Sequence, residues 1–247
     1  MDLFDFGYRD ALKEDSPTRR IRLLSLFSGI GAFEKALDRV GIEYELINYC
    51  EIDKYASKAY SAIHNIPEDY NLWDVCKVDT SKIKDVDLIT YGFPCQDISI
   101  AGQMKGLVNK DGTRTRSGLF FEALRIIQDT QPRIAIAENV RNLMSETFVE
   151  QYHIVQEALG DAGYNNYVEV LNAKDYGVPQ NRERVFIVSI RKDIDIGFEF
   201  PAPVPLTKCL KDLLEDGVDE KYYITEEALK GLEEPTESAP ETSERWW

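Results

Sequence analysis

Alternation constrains this chain more than any other feature. Between residues 21 and 190, short apolar runs of strand character take turns with amphipathic stretches of helical period. The strand-like runs cover residues 21–27, 44–51, 86–92, 133–138, 167–172 and 184–190. Helical patterns fill residues 32–40, 54–64, 117–130 and 148–162. A strand that rejoins its own sheet through a helix does so by a right-handed crossover, which predicts a mainly parallel sheet with helices on both faces. The expected class is α/β, doubly wound, with ligand sites at the carboxyl ends of the strands.

Residues 1–20 read as a polar lead-in, 21–200 as the domain that holds the sheet, 201–232 as a short helical extension and 233–247 as an acidic, disordered tail. The segment Pro201-Ala202-Pro203-Val204-Pro205 marks the change of character, with helical turns expected at 209–214 and 226–232. No apolar run is long enough to cross a bilayer. The start, Met1-Asp2-Leu3-Phe4-Asp5, lacks the basic-then-apolar layout of a signal peptide. Cys50, Cys76, Cys95 and Cys209 form no C-x-x-C pair, so a reducing, cytoplasmic setting is expected. With His64 and His153 as the only histidines, a zinc centre or a serine–histidine machine has little to build from. No metal is expected.

The net charge of -15 argues against a free-standing nucleic-acid binder. Its distribution is uneven, because residues 212–247 carry -9 and leave -6 for the rest. Residues 101–118 hold four glycines and set Lys105, Lys110, Arg114 and Arg116 against Asp111. A long basic loop of this kind is suited to close over a polyanion.

Candidate chemistry clusters at the strand ends. Phe27-Ser28-Gly29-Ile30-Gly31 is a strand-to-helix turn where glycines let the backbone approach a nucleotide-like ligand, although such a turn also serves plain strand–helix packing. Glu51, about twenty positions on, is placed to accept from ribose hydroxyls, and Asp53 to cap the next helix. Asp74 suits an adenine amine or an ordinary turn. Gly92-Phe93-Pro94-Cys95-Gln96 sets a cysteine, stiffened by proline, just past a strand. Glu138-Asn139-Val140 ends a neighbouring apolar run, where a carboxyl group is placed to keep a proton available. Gln180-Asn181-Arg182-Glu183-Arg184 enters a further strand, and the Arg-x-Arg spacing directs both guanidinium groups to one face.

In this order, Phe27-x-Gly29-x-Gly31, Gly92-Phe93-Pro94-Cys95-Gln96, Glu138-Asn139-Val140 and Gln180-x-Arg182-x-Arg184 resemble the signature blocks of cytosine-5 DNA methyltransferases. The resemblance runs from about residue 23 to 190, with Ala32 where a second consecutive glycine is usual. It implies a Rossmann-like fold that binds S-adenosyl-L-methionine. Contacts are implied from Phe27, Gly29, Ile30 and Gly31, from Glu51 and Ile52 at the ribose side, from Asp74 and Val75 at the adenine, and from Pro94 and Leu119 near the methionine end. Cys95 is implied as the nucleophile, Glu138 as partner of the cytosine N3 and amino edge, Arg184 as a contact to its O2, and Arg182 as support. Gln96, Ser99, Asn139, Lys105, Arg114 and Arg116 are the implied contacts to double-stranded DNA.

Typical members continue into a target-recognition domain and two further blocks, and residues 191–247 show no motif like them. The resemblance is thus to the catalytic part, similar to the larger subunit of a split enzyme, with recognition expected from a second polypeptide. Restriction-modification or phage self-protection is the implied setting. Two other readings share these residues: a binding subunit without turnover, and an RNA cytosine-5 methyltransferase, since the catalytic blocks do not separate DNA from RNA.

Overall fold

A computed structural model describes residues 20–94, 107 and 117–225. The alternation resolves into strands β1 (Ile21–Leu26), β2 (Tyr44–Cys50), β3 (Leu88–Tyr91), β4 (Ile134–Val140), β5 (Tyr164–Asn172) and β6 (Glu183–Arg191). The helices are α1 (Ala32–Arg39), α2 (Lys54–His64), α3 (Phe120–Thr130) and α4 (Val149–Asp161). The strands form one six-stranded sheet in the order β2-β1-β3-β4-β6-β5. This is the α/β doubly wound class expected from the sequence.

Neighbours among β1 to β4 pair in parallel. The last strand, β6, runs antiparallel to both β4 and β5. The reason is the connection: β5 and β6 are joined by a loop whose only regular element is the 3-10 turn Ala173–Asp175. Without a crossover helix the chain folds back on itself, as antiparallel pairing requires.

Residue parity along each strand divides the core into two layers. Leu24, Leu26, Ile89, Tyr91, Ala135, Ala137, Val185 and Ile187 pack with Phe120, Ala123 and Ile127 of α3 and Val155 and Leu159 of α4. The alternate residues Ile21, Leu23, Leu88, Ile134, Val188 and Ile190 pack with Leu37 of α1 and Tyr60 of α2. Successive strand side chains point to opposite faces, so one sheet carries both helix layers. Each fully buried leucine, isoleucine or phenylalanine contributes about 1.5–3 kcal/mol.

Leu107, within the 101–118 segment, is fully buried in the α3/α4 layer. The loop cations Lys105, Lys110, Arg114 and Arg116 lie outside the described residues, as do Cys95, Gln96, Ser99 and the expected turn at 226–232.

The chain divides into two compact units between Thr207 and Lys208. In the first, the proline-rich segment returns to the sheet. Val204 N–H donates to the Asp175 carbonyl at 2.8 Å, and Tyr176 Oη donates to the Pro201 carbonyl at 3.0 Å. In the second, the expected turn at 209–214 is a single 3-10 turn, Leu210–Leu213, followed by another at Glu220–Tyr222. Among the described residues no helix is long and apolar enough to cross a membrane.

Candidate active site

The turn after β1 takes an unusual path. Phe27, Gly29 and Gly31 have φ of 52°, 55° and 84°, whereas Ser28 and Ile30 do not enter the positive region. Such alternation turns successive N–H groups toward a common concavity, a shape that binds electronegative atoms. Gly31 then starts α1, whose amino end has no side-chain cap. Its first N–H groups are thus available to a ligand. Glycine suits position 31 because its φ is left-handed and because a Cβ there would collide with His64 and Tyr60. Ile30, 55% exposed, presents an apolar surface beside the turn.

Glu51 follows β2 and is fixed to this turn. Its Oε2 accepts the Gly29 N–H at 2.8 Å and its Oε1 accepts the Asp53 N–H at 2.7 Å. A carboxylate has about four lone-pair positions, so each oxygen keeps one for a ligand hydroxyl. Asp53 has the other role expected for it: its Oδ1 caps α2 by accepting from Tyr55 N and Ala56 N at 2.8 and 2.9 Å. Ile52 between them is 73% exposed.

Asn71 escaped the sequence reading and organises this corner. It is 5% exposed. Its Oδ1 accepts from Glu51 N at 3.0 Å and Trp73 N at 2.8 Å, and its Nδ2 donates to the Glu51 carbonyl at 2.9 Å and Ser57 Oγ at 3.0 Å. All four hydrogen-bonding positions of the amide are filled. Little in Tyr70-Asn71-Leu72-Trp73 announces it, because only Trp73 is a local partner and the others, Ser57 and Glu51, lie fourteen and twenty residues away.

Asp74 caps the 3-10 turn Val75–Lys77, accepting the Cys76 N–H at 3.0 Å, with Lys77 Nζ 3.3 Å away. The Cys76 backbone hydrogen bond and Lys77 hold this carboxyl below the usual aspartate range. Val75 is buried, and its carbonyl accepts from Arg125 Nη2 at 3.3 Å.

The second cluster lies where β3, β4 and β6 end together. Arg184 Nε stands 2.9 Å from Glu138 Oε1, with both side chains about a quarter exposed. The register places Val140 opposite Arg184 and Glu138 opposite Phe186, making Glu138 and Arg184 diagonal neighbours on one face. Glu138 therefore sits within β4, as the expected strand over 133–138 has it. Gly92 brings the backbone after β3 close beneath this carboxylate: a Cβ there would lie 3.6 Å from Glu138 Oε2.

Arg182 stands at the entry to β6. It is exposed and precedes β6, with its N–H bound to Asn172 Oδ1 at 3.1 Å. The strand itself is assigned from Glu183, and the Arg182 carbonyl accepts from Ala173 N at 3.0 Å. Arg141, unremarked in the sequence, pairs with Glu183 at 2.7 Å beside this cluster.

Asn139 faces the other way and is 3% exposed. Its Nδ2 donates to the Phe93 carbonyl at 3.1 Å and its Oδ1 accepts from Val140 N at 2.8 Å. It fixes the backbone immediately before Pro94 instead of offering itself to DNA. Pro94 and Leu119 are half-buried. Cys95, the expected nucleophile, is the next residue after this anchored segment and lies outside the described residues.

Comparison with known proteins follows the same lines. The model of the C-5 cytosine-specific DNA methylase family matches residues 21–246, past the carboxyl limit suggested by the motifs. An orphan methyltransferase of Bacillus phage SPR, M.SPRI, is 39% identical over 242 residues, 86% of this chain and 54% of that protein. The type II methyltransferase M.HhaI of Haemophilus parahaemolyticus is 36% identical over 203 residues, covering 81% and 59%. The crystal structure of S. pombe Dnmt2 methyltransferase shares the fold at a TM-score of 0.63 and 20% identity, covering 86% of this chain and 65% of that one. The chain spans little more than half the length of the two sequence relatives. Those proteins carry their additional length within their own chains, so the expected second polypeptide gains no support. By family match and by identity, the chain belongs to the C-5 cytosine-specific DNA methylases.

Proposed function

We propose that the protein transfers a methyl group from S-adenosyl-L-methionine to C5 of cytosine in double-stranded DNA. The observation that carries this reading is the Glu138–Arg184 pair, held by sheet register above Gly92 and beside the strand end that leads to Cys95. A cytosine edge offers N3, O2 and an exocyclic amine. A carboxyl group and a guanidinium fixed side by side match that edge, and a base must leave the duplex to reach them.

The residues of the first cluster fit the cofactor. The uncapped start of α1 and the Phe27–Gly31 turn suit a carboxylate, Glu51 keeps lone pairs for ribose hydroxyls, and Ile30 and Ile52 offer exposed apolar surface. When bound, S-adenosylmethionine supplies an electrophilic methyl group on a sulfonium centre.

The rest of the chemistry belongs to the chain. The Cys95 thiolate adds to C6, forming a C–S bond and turning C5 into an enamine carbon that attacks the methyl group. Glu138 shares a proton with N3 and so offsets charge that builds on the ring as sulfur adds. Arg184 holds O2 and orients Glu138. Loss of the C5 proton then expels the thiolate and restores the aromatic ring. Asp74 and Val75 are proposed at the adenine, Pro94 and Leu119 at the methionine end, and Arg182 at the border of the base pocket. Gln96, Ser99, Lys105, Arg114 and Arg116 are proposed contacts to DNA, and protection of a bacterial or phage genome is the proposed setting.

The test is acceptor choice. Labelled S-adenosylmethionine is incubated with mixed-sequence duplex DNA and, separately, with transfer RNA. Label recovered as 5-methylcytosine in DNA supports the reading. Label in transfer RNA alone moves the substrate to RNA, and cofactor binding without transfer to either favours a binding subunit.

A further inference from the structure

Trp73 combines three properties that packing alone does not explain. It is 41% exposed, although it is a large apolar side chain. Its φ is 60°, a region that bulky residues rarely enter. Its backbone N–H is held in that conformation by Asn71, the same amide that fixes Glu51. An outlier maintained by buried hydrogen bonds is the pattern of a residue positioned for a ligand.

The register shows where it stands. Tyr49 and Asn71 form a parallel bridge, and Leu72 N–H donates to the Tyr49 carbonyl at 2.7 Å. The two segments therefore leave the sheet side by side, and two residues on, Glu51 lies next to Trp73. One oxygen, Asn71 Oδ1, accepts from both backbones. Ile52 follows Glu51 and is 73% exposed, so exposed apolar side chains are carried both by the residue after Glu51 and by Trp73, whose backbone N–H shares an acceptor with that of Glu51.

We infer that Trp73 is a cofactor-contacting residue, packing its indole against the purine ring of S-adenosylmethionine opposite Ile52, with Asn71 as the positioning residue that holds it there. The inference rests on the proposed use of that cofactor. It assigns the purine an indole face that the strand-end residues and the turn glycines do not supply. Flat, electron-rich rings suit a purine, and the left-handed backbone turns the indole out of the core toward it.

The experiment uses the full chain and two probes, S-adenosylhomocysteine and adenosine, titrated calorimetrically into wild type, Trp73→Phe and Trp73→Gly. Glycine accepts φ of 60° without strain, so Trp73→Gly is expected to unfold at a temperature equal to or above wild type. Its affinity for both probes is expected to fall about tenfold or more, in line with the loss of one base-stacking contact. Trp73→Phe is expected to stay within about threefold of wild type because it keeps an aromatic face. A residue that serves structure alone would not move stability and affinity in opposite directions.

A second readout needs no change at the site. With Trp246 and Trp247 replaced by Phe, the remaining indole is Trp73, and its fluorescence should shift on cofactor addition. Unchanged affinity in Trp73→Gly, or unchanged fluorescence on confirmed binding, overturns the inference and leaves the cofactor reading intact. If wild type binds neither probe, the cofactor reading itself fails and takes the inference with it.

Discussion

Arg184 Nε lies 2.9 Å from Glu138 Oε1 in an ion pair that joins the first residues of β6 to the last part of β4. The pairing is set by antiparallel register and not by a loop. That places the carboxylate proposed to read the base within a paired strand. Removing one charge leaves the other half-buried and unpaired.

Glu138→Gln is expected to lower kcat by about a hundredfold or more, the usual scale for a positioned acid–base group. Arg184→Ala should cost a similar factor. Because the two side chains act as a unit, the double variant should lose much less than the product of the single losses. Steady-state kinetics of the three variants read this directly, and simple multiplication of the effects would refute the unit.

Asn139 predicts a different profile. Asn139→Ala removes the hydrogen bonds to the Phe93 carbonyl and Val140 N–H in a buried setting. Stability should fall by about 1–3 kcal/mol. Activity should fall further than that loss accounts for at temperatures where the variant is fully folded, because the backbone leading to Pro94 and Cys95 is no longer fixed. Denaturant unfolding alongside kcat separates the two effects.

The turn glycines differ from each other. At Gly29 an added Cβ meets nothing within 4 Å, so Gly29→Ala should cost only the left-handed strain of about 1–2 kcal/mol. At Gly31 the same methyl would collide with His64 and Tyr60. Gly31→Ala should be the more damaging, and His64→Ala in the same chain should recover part of the loss but not the backbone strain. Thermal midpoints of the four proteins check the order.

Glu51 and Asp53 should separate function from folding. Asp53→Ala removes the cap of α2 and is expected to cost about 1 kcal/mol of stability with little change in cofactor affinity. Glu51→Ala should weaken cofactor binding, since its oxygens are oriented by Gly29 and Asp53 toward a ligand. Calorimetry on both variants tests the division.

Cys50 offers a test by pH. Burial, then the nearby charges of Asp74 and Glu51, push its thiol up to about 12. In the unfolded chain the thiol ionises at its ordinary value, while in the folded protein it stays neutral. Folded-state preference for the neutral thiol is therefore intact below that ordinary value and is lost progressively as pH rises toward 12. Cys50→Ala should flatten this alkaline decline. At neutral pH an alkylating reagent should modify the exposed Cys76 and Cys209 while sparing Cys50 until unfolding.

Much of this architecture is legible in the sequence, because apolar periodicity is a local property. The strands and helices fall within a few residues of their expected bounds, and the cap formed by Asp53 follows from its position at a helix start. Most of what escapes is set by distant partners. The reversed direction of β6 follows from the absence of a crossover helix between residues 172 and 184, which the periodicity already shows but the mainly parallel expectation does not draw on. Asn71 and Asn139 act by bonding to backbone groups far away in sequence, so no spacing rule exposes them. Arg182 and Arg184 look equivalent in the motif, yet one precedes the strand and the other belongs to it.

The most direct test of the account is to trap the adduct. Duplex DNA containing 5-fluorocytosine cannot lose a proton from C5 after methyl transfer, so the C6–sulfur bond should persist. The account predicts a covalent protein–DNA complex that forms only with S-adenosylmethionine, maps to Cys95 by peptide mass and vanishes in Cys95→Ser. A cross-link at another residue, one that survives Cys95→Ser, or methylation of DNA with no trapped complex would contradict it.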